Sequence, residues 1–323
     1  MRLFKSIIGG VLALGFIAGA SAGESNSKIT VPISIDDNDR MAVWVQVGEH
    51  RSVATIDTAA TFPMVDRRLL NDTNSAETGA QVEVIGVGGS RLFAEARVGP
   101  VAVGDTNFSK LSAAVNGRQD FPGHRTVIPA NVFQGRVLDF DFQRDRLDVY
   151  NAKPDRTGDH VWSKLAYSEV QGLPFIRVKV NGTEGWALID TGSDVTYLNT
   201  VFADRSGAVL KLDKTKEIFG ATGENGAQIK ILDVRKLSFG HHAKRKFEIL
   251  SANTPIFAHL GLQDEPVMVM GMDVLRHFRL QIDRETSLIY LGRPENETDG
   301  RRYRISPFSG RVRRYSGVGE SNY

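Results

Sequence analysis

Two short stretches of the chain carry residues that could do chemistry together. In "ATIDTAATFPMV" an apolar approach delivers Asp57 into a run of small residues, and in "ALIDTGSDVTYL" another delivers Asp190. Two carboxyl groups within hydrogen-bonding distance cannot both ionise easily, so they share one proton over a wide pH range. One member is then a base and the other an acid. A water between them can lose a proton as it attacks a carbonyl carbon, while the protonated partner donates to the carbonyl oxygen. Amide hydrolysis can run on these parts. A single Asp57 could equally serve a structural Asx turn; its repetition at Asp190 favours function.

The elements that must position these aspartates are also repeated. "MAVWVQVGEHRSVATID" reads as strand, turn and strand into Asp57, and "LPFIRVKVNGTEGWALID" as the same into Asp190, with Asn181-Gly182 as a hairpin signal. Further on, Gly86 in "EVIGVGGSRLFAEARV" and Gly220 in "EIFGATGENGAQIKIL" mark glycine-rich hairpin tips. "TVIPANVFQGRVLDFDFQRDRLDVY" then matches "MVMGMDVLRHFRLQIDRETSLIYL", with Asp141 and Asp283 at equivalent turns and read as structural. The pattern predicts an all-β chain of two homologous lobes around a central cleft. The lobes are expected over 23–150 and 171–292, joined by a connector over 151–170 and followed by a tail over 293–323. Quasi-symmetric lobes commonly meet about a pseudo-twofold axis, which would bring Asp57 and Asp190 face to face.

"IDTGSDVTYL" is similar to the active-site motif of aspartic peptidases of the pepsin and retropepsin clan, and "IDTAATFPMV" looks like a variant of it. "VIGVGG" resembles the retropepsin flap, and "VMVMGMDVL" the apolar-apolar-Gly loop that passes beside each aspartate. The resemblance implies two β-barrel lobes and an aspartic endopeptidase with Asp57 and Asp190 as its dyad. It implies that Thr58 and Thr191 lock the two loops together and that Ala59 and Gly192 offer backbone amides to the carboxylates. Gly86, Gly88 and Gly220 would belong to hairpins closing over an extended peptide. The departures fall in the first lobe. Ala59 stands where the motif has glycine, and Pro129, which lacks an N–H, stands where the second lobe has Gly271. Neither flap carries the tyrosine of pepsin-like enzymes, and only 23–28 would precede the first strand, which leaves no room for a prosegment. A non-catalytic peptide-binding or scaffolding protein on the same fold is the alternative reading, favoured by Ala59 and Pro129.

Composition narrows the setting. The chain has 323 residues, enough for two cores, and a formal charge of +2. Arg2 and Lys5 precede an apolar run over 7–20, and Ala20-Ser21-Ala22 fits a signal-peptidase site, so 1–22 is expected to be a cleaved signal peptide. Its removal leaves a formally neutral chain, which gives no sign of a nucleic-acid partner. Six arginines over 301–314 form a basic tail. There is no cysteine, which excludes thiol catalysis, thiolate metal sites and disulfides. His241 and His242 are adjacent, without ligand spacing to a third group, and are expected at the surface. "GVGGS" lacks the Lys-Ser/Thr and helix of a phosphate loop. No metal, no cofactor and no further membrane span are expected. The expected protein is a monomer acting on peptides or proteins in the periplasm or outside the cell.

Overall fold

The computed structural model describes residues 28–218 and 227–295, except 72, 74, 88, 120 and 122, with the backbone alone over 212–218 and 227–228. The expected signal peptide and the six arginines of the expected tail lie outside the described residues, while the start of that tail, 293–294, belongs to the strand Leu288–Pro294. Among the described residues the chain is all-β in two lobes, with 22 strands joined edge to edge. Among the described residues no helix is long and apolar enough to cross a membrane.

Each lobe uses a hairpin to deliver its aspartate. In the first, Met41–Val47 alternates between buried and open positions and pairs with His50–Asp57. In the second, Leu173–Val180 pairs with Thr183–Ile189 around Asn181 (φ 52°) and Gly182 (φ 97°). Left-handed φ at both central positions is the geometry that Asn-Gly supplies to a two-residue hairpin turn. A parallel strand then covers the other edge. Thr126–Pro129 lies on His50–Asp57 with Pro129 opposite Asp57, and Val267–Met270 lies on Thr183–Ile189 with Met270 opposite Ile189. Successive residues at the ends of these strands are buried, so both faces are covered and need apolar side chains. "VATI", "WALI" and "VMVM" supply them.

A six-stranded antiparallel sheet joins the lobes. Ile29–Ile35, Arg146–Tyr150, Val137–Asp141, Arg279–Asp283, Leu288–Pro294 and His160–Val170 follow one another across it. At its middle, Val137 faces Asp283, Asp139 faces Gln281 and Asp141 faces Arg279. This register is centred on Asp139 and Gln281, where the pseudo-twofold axis passes. Buried polar groups there bond to one another across the lobes. Arg279 donates to Asp139 from Nε (2.9 Å) and Nη2 (2.5 Å), Gln281 Nε2 donates to Asp139 Oδ2 (2.9 Å), and Arg136 grips Asp283 with two hydrogen bonds.

Two expectations change. The second half of the expected connector is strand His160–Val170, which pairs first with Leu288–Pro294 and then with Leu173–Val180. Ile29–Ile35 does the same with Arg146–Tyr150 and Met41–Val47, so the second lobe starts earlier than its Val/Ile-rich run. "HVWSKLAYSEV" is half exposed, with Ser163 and Tyr167 facing inward, and so lacks the apolar run that marks the other strands. His242 is buried rather than exposed. Its ring lies by Phe239 and Phe278 and its Nε2 is 2.9 Å from the Leu291 carbonyl oxygen, while His241 stays exposed. Asp141 and Asp283 hold turns: Asp141 accepts the Arg144 amide, and Asp283 accepts the Glu285 amide and the Thr286 hydroxyl.

The first-lobe flap is the hairpin of Ala76–Gly86 and Gly89–Val98, closed by the pair Gly86 and Gly89 (φ 113°). Phe93, Val82 and Val84 on it form an apolar cluster with Met64, Phe62 and Phe121. The hairpin extends to the helix Pro255–His259 of the second lobe.

Candidate active site

The ends of the two delivering strands meet across the axis. The Thr58 hydroxyl donates to the Ile189 carbonyl (2.6 Å) and accepts the Thr191 amide (3.0 Å). The Thr191 hydroxyl donates to the Ile56 carbonyl (2.7 Å) and accepts the Thr58 amide (3.1 Å). Both side chains are buried, so four backbone groups that would otherwise lack partners are satisfied by two hydroxyls. This lattice fixes the spacing of the residues immediately before each threonine.

Those residues are Asp57 and Asp190, and their carboxyl groups share a hydrogen bond. Asp57 Oδ1 also accepts the Ala59 amide at 2.6 Å, and the Ala60 amide bonds to the same carboxylate. Asp190 Oδ1 accepts the Gly192 and Ser193 amides, both at 2.9 Å. Burial pushes the Asp57 carboxyl above the ordinary carboxylate range, against the pull of its amide donors. Burial pushes Asp190 well up, and the nearby Asp57 charge pushes it further. The pair therefore holds one proton between its two carboxyls into the range where exposed carboxylates are bare.

The expected site residues are thus brought together: Asp57, Thr58, Ala59, Asp190, Thr191 and Gly192 meet at one junction, with the two threonines buried beneath half-buried aspartates. Gly86 lies at the end of the flap strand, whereas Gly88 and Gly220 lie outside the described residues.

The departures from symmetry have local reasons. A Cβ on Gly192 would sit 2.3 Å from Asp57 Oδ2, so the opposing carboxylate makes glycine obligatory there. Ala59 adopts no left-handed φ, and its methyl group packs against the second-lobe cluster that includes Leu173, Phe175 and Tyr197. The extra carbon is thus absorbed by packing. Pairing of Met64 with Val127 and of Tyr197 with Val269 aligns the lobes residue by residue. Pro63 then corresponds to Thr196, Pro129 to Gly271 and Asn131 to Asp273.

In the second lobe these positions form a network. Gly271 donates its amide to Thr196 Oγ1 (2.9 Å), and Thr196 donates its hydroxyl to Asp273 Oδ1 (2.5 Å). A Cβ on Gly271 would lie 2.5 Å from the Val195 carbonyl oxygen, so the motif loop rests directly on this glycine. In the first lobe Pro63 has no hydroxyl and Pro129 no N–H, so donor and acceptor are lost as a pair. There, Arg284 reaches from the second lobe to the carbonyls of Ala130 (2.9 Å), Phe133 (2.6 Å) and Gly135 (3.2 Å) and holds the turn after Pro129. Motif reading passed over Thr196, Asp273 and Arg284. The available signal was Asp273 itself, the one acid in the otherwise apolar run "VMVMGMDVL".

Comparison with known families matches residues 176–274 to the aspartyl protease family. No curated protein matches the chain. The matched segment contains Asp190, Thr191, Thr196, Gly271 and Asp273, and its description supports a protease-type function. The match lies within the second lobe, and with the first lobe repeating that topology the all-β, two-lobed architecture is consistent with an aspartic peptidase of the pepsin and retropepsin type.

Proposed function

We propose that the protein is an aspartic endopeptidase, with Asp57 and Asp190 as its catalytic dyad. The observation that carries this reading is the hydrogen-bonded, half-buried carboxyl pair locked by Thr58 and Thr191. A water held by the pair loses a proton to the Asp57 carboxylate as its oxygen bonds to the carbonyl carbon of the peptide. Asp190 gives its proton to the carbonyl oxygen, and a neutral tetrahedral diol results. On collapse, a diol hydroxyl returns its proton to the dyad, the C–N bond breaks and the leaving nitrogen takes a proton from the other carboxyl. The first-lobe flap, leaning toward the helix Pro255–His259, offers strand edges to an extended peptide.

The proposed substrate is a peptide or protein, and the proposed location is the periplasm or the medium. Arg2, Lys5, the apolar run over 7–20 and Ala20-Ser21-Ala22 support export. A peptide-binding protein without turnover is the second reading; Pro63 and Pro129, which strip the first lobe of the Thr196–Gly271 bond, favour it. Digestion of a peptide library by purified protein from pH 3 to 8 separates the two. Cleavage that persists with chelator and vanishes in Asp190→Asn supports the enzyme. Binding without cleavage at every pH supports the binder.

A further inference from the structure

We propose that Asp273 is a positioning residue for Asp190, acting through the Thr196 hydroxyl and the backbone of Met270–Gly271. This rests on the dyad reading and deepens it. Asp190 donates its amide to the Met270 carbonyl (3.1 Å), and the next amide, Gly271, is held by Thr196, which is held in turn by Asp273. Met272 donates its amide to the Ser193 carbonyl (2.8 Å), and Ser193 donates its own amide to Asp190 Oδ1. The motif loop and the Gly271 loop are therefore tied on both sides of Asp190, and Asp273 is the titratable group in the ring besides Asp190 itself.

A hydroxyl donating to an ionised carboxylate is polarised, and its oxygen becomes the better acceptor. While Asp273 is charged, Thr196 grips the Gly271 amide firmly. Once it is protonated, that polarisation is lost and the peptide carrying the Asp190 acceptor loosens. Asp273 and Thr196 are buried, 3% and 0% exposed, so water does not replace the bond.

The groups around Asp273 favour titration in a useful range. Burial pushes its carboxyl up to about 6, with the Thr196 hydrogen bonds opposing and the charges of Asp194 and Asp39 adding to the rise. Asp39 is itself paired with Arg276, and Asp194 with Arg40. On its other side Asp273 lines a pocket with Lys244, His242, His277 and Arg293. Lys244 is held down to about 8 by burial, and His277 to about 4 by burial and by the charges of Arg276, Lys244 and Arg293. The His277 imidazole is thus neutral where Asp273 titrates, and burial lowers His242 as well. The first lobe has Asn131 at the matching place and relies on Arg284, whose charge does not change over that range.

The test follows backbone amide signals of the full chain by NMR against pH, alongside kcat and KM on a cleaved peptide. In the wild type the Gly271 amide, which bonds to Thr196 rather than to the dyad, should shift with a midpoint near 6, the Asp273 value. In Asp273→Asn that step should vanish, with kcat lower by about tenfold, KM unchanged and melting close to wild type. If Asp273→Asn fails to fold, Thr196→Val should remove the step and Thr196→Ser restore it. The proposal is overturned if the step survives in Asp273→Asn or Thr196→Val, or if the only effect is a lower melting temperature. If the wild type cleaves nothing but the step is present and lost in Asp273→Asn, the endopeptidase reading fails and the positioning role stands.

Discussion

Thr58 and Thr191 exchange amide and hydroxyl across the lobe boundary, each hydroxyl accepting the other's N–H at 3.0–3.1 Å while donating to a carbonyl of the opposite strand. Because these bonds run between lobes, they bear on the cleft as well as on stability. Thr58→Val or Thr191→Val leaves one amide and one carbonyl buried without a partner. Each variant should lose about 2 kcal/mol or more of stability in a denaturant melt. Each should also lower kcat more than it raises KM, because the carboxyl spacing relaxes. Thr→Ser at either position should recover most of both losses.

Asp57→Asn and Asp190→Asn should each reduce kcat/KM by a factor on the order of 10⁴ or more, and the double variant should be little worse than either. The pair shares one proton, so loss of either member removes base and acid together. Equal and independent losses that multiply in the double variant would argue against a shared-proton dyad.

The same two carboxyls should cost the fold stability at neutral pH. Both have folded values raised above the unfolded one, so the native state binds more protons than the unfolded chain above the ordinary carboxylate range. Stability from this source is full in acid and falls as pH rises toward the raised values. Asp190→Asn should therefore melt higher than wild type at pH 7, by about 2–4 °C for each kcal/mol relieved. The difference should close toward pH 4. A wild-type protein that melts higher than Asp190→Asn at neutral pH would contradict the raised values.

Substitutions at the two motif positions should behave oppositely. Gly192→Ala puts a carbon 2.3 Å from Asp57 Oδ2, so kcat should fall by about 100-fold or more as that carboxylate is displaced. Ala59→Gly removes a methyl group from the second-lobe apolar cluster without freeing a clash. It should cost about 1 kcal/mol of stability and leave kcat within a fewfold of wild type. Steady-state kinetics and melts on the two variants check both statements.

Much of this arrangement was legible in the sequence because repetition and side-chain period expose it. The approach to Asp190, with Asn181-Gly182 at its turn, and the doubled order of hairpin, aspartate and glycine tip needed only local rules. The strand His160–Val170 was not legible, because it is half exposed and takes its place from pairing with Leu288–Pro294, a partner more than a hundred residues away. His242 escaped for a related reason: burial at the start of a strand depends on what packs there, here Phe239 and Phe278. The exchange of Thr196, Gly271 and Asp273 for Pro63, Pro129 and Asn131 could be seen as separate oddities. That it is one replacement becomes visible only when strand register puts the six residues in correspondence.

The register through Asp139 and Gln281 also makes the fusion of the two lobes one-way. A first lobe pairing with its own copy would set Asp139 against Asp139, two buried carboxylates with Arg279 absent. Removing one partner of such a buried pair costs about 3–5 kcal/mol. A second lobe pairing with its copy would keep Arg279 but lose Asp139, and Asp283 would lose Arg136. Each half carries the charge the other requires, so neither can rebuild a two-aspartate cleft by self-association.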